Sequence, residues 1–156
     1  MKKANAFATL KLMHGAMLMG QLIFIAVLVY MVYGNQIIPF LSSASSEKIL
    51  QAIAIVVTAA AMFAGISLFK KKLALIKEGT LLDAKEKFSK YRQACLLQWA
   101  LTELPVLVCC ICFFITANYA FLALAAVPLA YFVTLSPVKD KTAMQLDLSS
   151  GDLDEL

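Results

Sequence analysis

Four long apolar runs constrain this chain more than any other feature. They cover residues 12–33, 49–69, 95–116 and 119–135, and each is bounded by charged, glycine-containing or asparagine-containing stretches. A helix needs roughly 20 mainly apolar residues to cross the ~30 Å hydrocarbon core of a bilayer. The first three runs meet that length, and the fourth is somewhat short. Of the 156 residues, 62% are apolar and 15% are charged, whereas a soluble domain is roughly half apolar and a quarter charged. The excess is concentrated in the four runs, so too few residues remain outside them for a large aqueous domain. The expected fold is all-α: an integral membrane four-helix bundle of antiparallel up-down spans, forming one transmembrane domain over 1–156 with a polar C-terminal tail at 136–156.

The charges set an expected orientation. Of 14 Lys and Arg, three precede the first run, eight lie between Lys70 and Arg92, two follow the last run, and only Lys48 lies elsewhere. Four spans place both termini and the central loop on one side, and positive charge marks that side as cytoplasmic. The expected location is the cell membrane, multi-pass, which in a bacterium is the inner membrane. Because topology accounts for the cations, nucleic acid is not an expected partner. The lipid bilayer is one, and anionic headgroups suit the same lysines. The first run is too long for the apolar core of a cleavable signal and is expected to remain as a span.

Between the runs, Ser45 or Ser46 ahead of Glu47 is an expected N-cap of the second helix, and the segment Ile37–Leu41 is expected to dip toward the headgroups. No strong breaker follows Phe69 before Gly79, so the second helix is expected to reach Glu78. Thr80 with Asp83 resembles a capping box opening the third helix. The second and third helices then extend beyond the membrane as a basic cytoplasmic hairpin carrying Lys70, Lys71, Lys72 and Arg92. Its apolar side, with Phe88 and Tyr91, is expected to pack on the opposite arm. Only Ala117 and Asn118 separate the last two runs, which requires adjacent antiparallel helices. In the tail, Ser149 and Asp152 form a possible cap, and Leu148 and Leu153 have the spacing of a hydrophobic staple over a turn or two.

Within a bilayer, small residues mark helix interfaces. Cys95, Thr102, Cys109 and Thr116 recur every seven residues, and Gln51, Ala54, Thr58, Ala61 and Gly65 form a second stripe. These are expected helix-packing positions. The same stripe gives the cysteines a packing role. Cys109 and Cys112 make a CxxC, but redox exchange between membrane thiols needs a second suitable pair, and none is evident. No metal site and no cofactor are expected. The single histidine excludes bis-histidine haem within one chain, and methionines in apolar helices usually pack.

One acid lies inside an apolar run: Glu103. A carboxylate at the centre of a membrane helix costs roughly 2.5–3.5 kcal/mol on insertion scales, which makes such a residue a candidate site. At 100° per residue it points away from the small-residue seam. His14, with Gln21 seven residues later on the same face, is the best partner that the sequence offers. The three form the candidate intramembrane polar site. No nucleophile, base and metal constellation accompanies them, so an enzyme is not expected. The first expectation is a small membrane protein acting through helix packing, as a homo-oligomer or an accessory subunit of a membrane complex. The alternative is a proton-coupled carrier or channel built on Glu103.

Overall fold

The computed structural model describes residues 6–34, 44–79, 83–149 and Leu153. Five helices are present among them, and no strand: α1 (Ala6–Tyr33), α2 (Ala44–Glu78), α3 (Ala84–Thr116), α4 (Ala120–Thr134) and α5 (Lys139–Leu146). α1, α2 and α3 are each long and apolar enough to cross a membrane. α4 has 15 residues and reaches that standard only together with α5, from which it is bent by 75°.

α3 occupies the centre, with α1, α2 and α4 around it. α2 lies against it from end to end. Glu47 meets Asn118, the Thr58 hydroxyl lies 3.9 Å from the Cys109 sulfur, and the Phe69 and Tyr91 rings are 6.1 Å apart. The two helices therefore run in opposite directions. Gly65 lies at this contact, where an added Cβ would stand 3.4 Å from Cβ of Leu101, at ordinary van der Waals distance. Ala54, Thr58 and Ala61 of α2, and Cys95, Thr102, Cys109 and Thr116 of α3, are all buried. With so little side-chain bulk between them, the backbones come close and dispersion contacts are dense.

Two apolar clusters stack along α3. The one toward the C-terminal end of α3, the outer cluster, joins Leu28, Ala54, Val106, Cys109, Phe113, Phe121 and Ala125. The one toward its N-terminal end, the inner cluster, gathers Leu10, Ile76, Phe88, Tyr91, Trp99, Phe132, Leu146 and Leu153. The apolar side of the long α2–α3 hairpin is thus used within the chain. Much of the remaining apolar surface is open: Leu12, Ile23, Val27, Ile53, Val56 and Phe63 are each about half to three quarters exposed. Exposed apolar area of that extent needs lipid or another protein to cover it.

Three expectations are revised. The region from 136 on is not simply a polar tail. It contains α5, whose Thr142, Ala143 and Leu146 are buried, with Tyr91 donating a hydrogen bond to Gln145 at 2.9 Å. The cap of α3 lies three residues later than expected. Asp83 is its N-cap, accepting from the Ala84 amide at 2.8 Å, and Glu86 takes the third helical position, where it pairs with Lys90 at 3.1 Å. Ser45 and Ser46 lie inside the first turn of α2 rather than ahead of it. The Ile37–Leu41 segment, Thr80 and Asp152 lie outside the described residues.

The turn between α3 and α4 shows how two linking residues suffice. Ala117 adopts the left-handed conformation at φ 54° and closes α3 through its amide to the Phe113 carbonyl. Tyr119 is the N-cap position of α4, and Asn118 just before it accepts from the first helical amide, Ala120, through Oδ1 at 2.9 Å, while its Nδ2 donates to Glu47 at 2.9 Å. One side chain thereby ties α2 to α4 just beyond the end of α3. Asn118→Ala is expected to lower stability by about 1–2 kcal/mol, through loss of the hydrogen bond to the first amide of α4 and of the one to an acidic side chain. Detergent unfolding followed by circular dichroism checks this, and an unchanged midpoint would remove the tie from the account.

Candidate intramembrane polar site

α1 turns a single face inward. Leu10, His14, Gln21 and Leu28 are its buried residues, spaced at four and seven so that they follow one side of the helix. Apart from Thr9 and Lys11 near its start and Tyr30 and Tyr33 near its end, the rest of α1 is apolar and largely exposed.

His14 is 4% exposed and held between aromatic rings. Its ring stacks on Phe132 at 4.7 Å between centroids, with 8° between planes, and meets Trp99 edge-on at 5.0 Å. Its Nε2 lies 3.0 Å from the Phe132 carbonyl oxygen. A carbonyl only accepts, so Nε2 must carry the proton and donate. That carbonyl is open to the histidine because α4 ends there. The last turn tightens, with the Leu135 amide bonding to Phe132 and the Ser136 amide to Val133, which leaves the Phe132 oxygen without its usual donor four residues on. The structure therefore gives His14 a backbone partner on α4, rather than Glu103.

Gln21 lies two turns further along α1, between the inner cluster touched by His14 and the outer cluster reached by Leu28. It is 2% exposed, and among the described residues neither its amide oxygen nor its amide nitrogen has a hydrogen-bond partner. A buried polar group left unpaired costs about 1–3 kcal/mol.

Glu103 stands apart from both. Thr102 beside it faces inward, with its hydroxyl bonded to the Gln98 carbonyl at 2.8 Å. Glu103 is half-buried, at the border of the outward stripe of α3 that runs through Ala100, Leu104 and Ile111. Leu104 is 47% exposed and Ile111 is 53% exposed. Among the described residues, Glu103 has no hydrogen-bond or ion-pair partner. It sits eight residues into the 95–116 run, about 12 Å along the helix axis at 1.5 Å per residue.

Three polar features escaped the sequence reading. One is the Phe132 carbonyl. Another is the Gln98 amide, which donates to the Tyr131 hydroxyl at 3.2 Å. The third is the Asn118–Glu47 tie. The first leaves no mark on side-chain identity, whereas the other two involve polar residues in or beside apolar runs, a signal that was available. Of the hairpin cations, Lys70 and Lys71 are exposed, and Lys72 and Arg92 are half-buried. Cys95, Cys109, Cys110 and Cys112 are free thiols in the interior. Among the described residues, no group of three or more His, Cys, Asp or Glu is placed to hold a metal ion.

No protein-family model, no curated protein and no solved structure matches this chain.

Proposed function

We propose that this chain is a non-enzymatic, four-span membrane bundle that works as a subunit, associating through the outward stripe of α3 with further copies of itself or with other membrane subunits. In this reading both termini and the α2–α3 hairpin face the cytoplasm, in keeping with the clustering of 11 of the 14 Lys and Arg before residue 12 and between Lys70 and Arg92.

The observation that carries the reading is Glu103. It is an unpartnered carboxyl on an apolar stripe, at the edge of the molecule and at a depth where lipid is the alternative environment. Hydrocarbon supplies no hydrogen bond, so a donor on a neighbouring helix relieves the cost. The exposed Ala16 and Gly20 of α1 add a second place where another backbone can approach closely. Extraction in mild detergent is expected to yield an assembly larger than one chain. Glu103→Leu is expected to release folded monomers, while Glu103→Gln, which retains a hydrogen-bonding head, keeps the assembly. Native mass spectrometry reads both, and a Glu103→Leu protein in the same assembly as the parent would defeat the proposal.

A proton-coupled carrier or channel is the second reading, and Gln21 favours it, because an unpaired amide deep in the molecule suits a passing polar solute. His14 contributes less, since its Nε2 proton is already bonded to Phe132. Under this reading Glu103→Gln abolishes flux into liposomes without altering assembly size.

A further inference from the structure

A cavity of about 320 Å³ opens between α2, α3 and the α4–α5 bend. Its origin is local. Pro137 disfavours helical backbone at Ser136, and Val138 is extended at φ −111° and ψ 133° before α5 begins. The chain bends by 75° between α4 and α5 at this point, and the cavity lies at the bend. Trp99, Phe69 and Leu135 give the cavity apolar walls, while Lys70 and Lys141 both line it and are exposed. Neither lysine has a carboxylate within ion-pair distance among the described residues, where the pairs are Lys77–Asp147 and Lys90–Glu86. Tyr131, also on the lining, accepts from Gln98, which leaves its own hydroxyl proton to donate elsewhere.

Two unpaired cations, a free hydroxyl donor and greasy walls in one cavity call for a ligand that is anionic at one end and apolar at the other. The location narrows the choice. Lys70 is the first charged residue after the apolar stretch of α2, so the cavity lies at headgroup level with its apolar side toward the hydrocarbon. Basic pockets between helices on the cytoplasmic side are where anionic lipid headgroups bind. We propose that this cavity binds an anionic phospholipid of the cytoplasmic leaflet, with the phosphate held by Lys70, Lys141 and the Tyr131 hydroxyl and an acyl chain lying against Phe69 and Leu135. The proposal rests on membrane insertion and on the cytoplasmic placement of this end. It is independent of assembly through Glu103.

Trp99, the only tryptophan of the chain, lines the cavity and supplies the readout. The full-length protein, delipidated in a non-ionic detergent, is titrated with phosphatidylglycerol, with phosphatidylcholine, and with sn-glycerol 3-phosphate or inorganic phosphate. Phosphatidylglycerol is expected to give a saturable change in Trp99 fluorescence, and phosphatidylcholine a change at least tenfold weaker in apparent affinity. The two soluble phosphates are expected neither to bind nor to compete at millimolar concentration. The double variant Lys70→Gln with Lys141→Gln is expected to bind phosphatidylglycerol about tenfold or more weakly, as removal of two headgroup-level cations implies, with an unchanged unfolding midpoint in phosphatidylcholine. The control double variant Lys85→Gln with Lys87→Gln, on the hairpin away from the cavity, is expected to bind like the parent. Equal binding by the Lys70/Lys141 variant, an equal loss in the Lys85/Lys87 control, or soluble phosphate binding as tightly as phosphatidylglycerol would each overturn the assignment. Failure here leaves assembly through Glu103 standing, because the Glu103→Leu experiment reads a different surface.

Discussion

Trp99→Ala is expected to lower stability by about 3–5 kcal/mol, the range found when a large buried aromatic is truncated. The indole is 1% exposed and sits where α1, α3 and α4 converge, edge-on to His14 at 5.0 Å and tilted against Phe132 at 6.4 Å. In lipid no hydrophobic force drives one helix onto another, so what is lost is contact. Each atom pair contributes only about 0.1–0.2 kcal/mol, but a buried ring makes dozens of such pairs. His14 would lose one wall of its slot while keeping its carbonyl partner, and a void would open beside it. Equilibrium unfolding in mixed micelles, followed by far-ultraviolet circular dichroism, measures the loss. Trp99→Phe fills much of the same space and is expected to cost about 1–1.5 kcal/mol. A Trp99→Ala loss below 1 kcal/mol would mean that the three helices close over the gap, and the inner cluster would not be the anchor described above.

Gln21→Leu is expected to act in the opposite direction, raising stability by about 1–3 kcal/mol. Leucine is close in volume to glutamine and brings no donor or acceptor. The buried amide gains no hydrogen bond, since both of its polar atoms lack partners among the described residues, whereas a methyl group at the same depth gains packing. The same unfolding assay serves. A destabilisation of 1 kcal/mol or more would mean that the amide has a partner in the working protein, such as a water, a solute or a group on another chain. The carrier reading would then gain at the expense of the subunit reading.

How much of this could be read beforehand follows from what each feature depends on. α1, α2 and α3 were legible because long apolar runs are local properties of a sequence, and the reach of α2 to Glu78 followed from the lack of a breaker before Gly79. The seam face of α1 was legible from the seven-residue spacing of His14 and Gln21. α5 was not legible. Its segment KDKTAMQL has three charges in eight residues, and its burial depends on Phe88 and Tyr91, more than 45 positions earlier. The start of α3 was misplaced for a different reason. Read from the sequence, Asp83 takes the third position after a cap at Thr80, whereas the structure makes it the cap itself, and an aspartate suits either place. The partner of His14 was hidden because a backbone carbonyl carries no residue identity. It became available through the way α4 ends rather than through the identity of Phe132.

The shortness of α4 reaches beyond the protein. Fifteen residues extend about 22 Å, against a hydrocarbon thickness of about 30 Å, while α2 with its 35 residues extends about 52 Å. In the proposed four-span arrangement, lipid next to α4 would thin locally or the whole body would tilt, at a fraction of a kcal/mol for each ångström of disagreement. The surrounding membrane would then carry a one-sided dimple that travels with the molecule. Two such dimples cost less when they overlap, so bilayer elasticity alone would draw copies together, in thick bilayers more strongly than in thin ones.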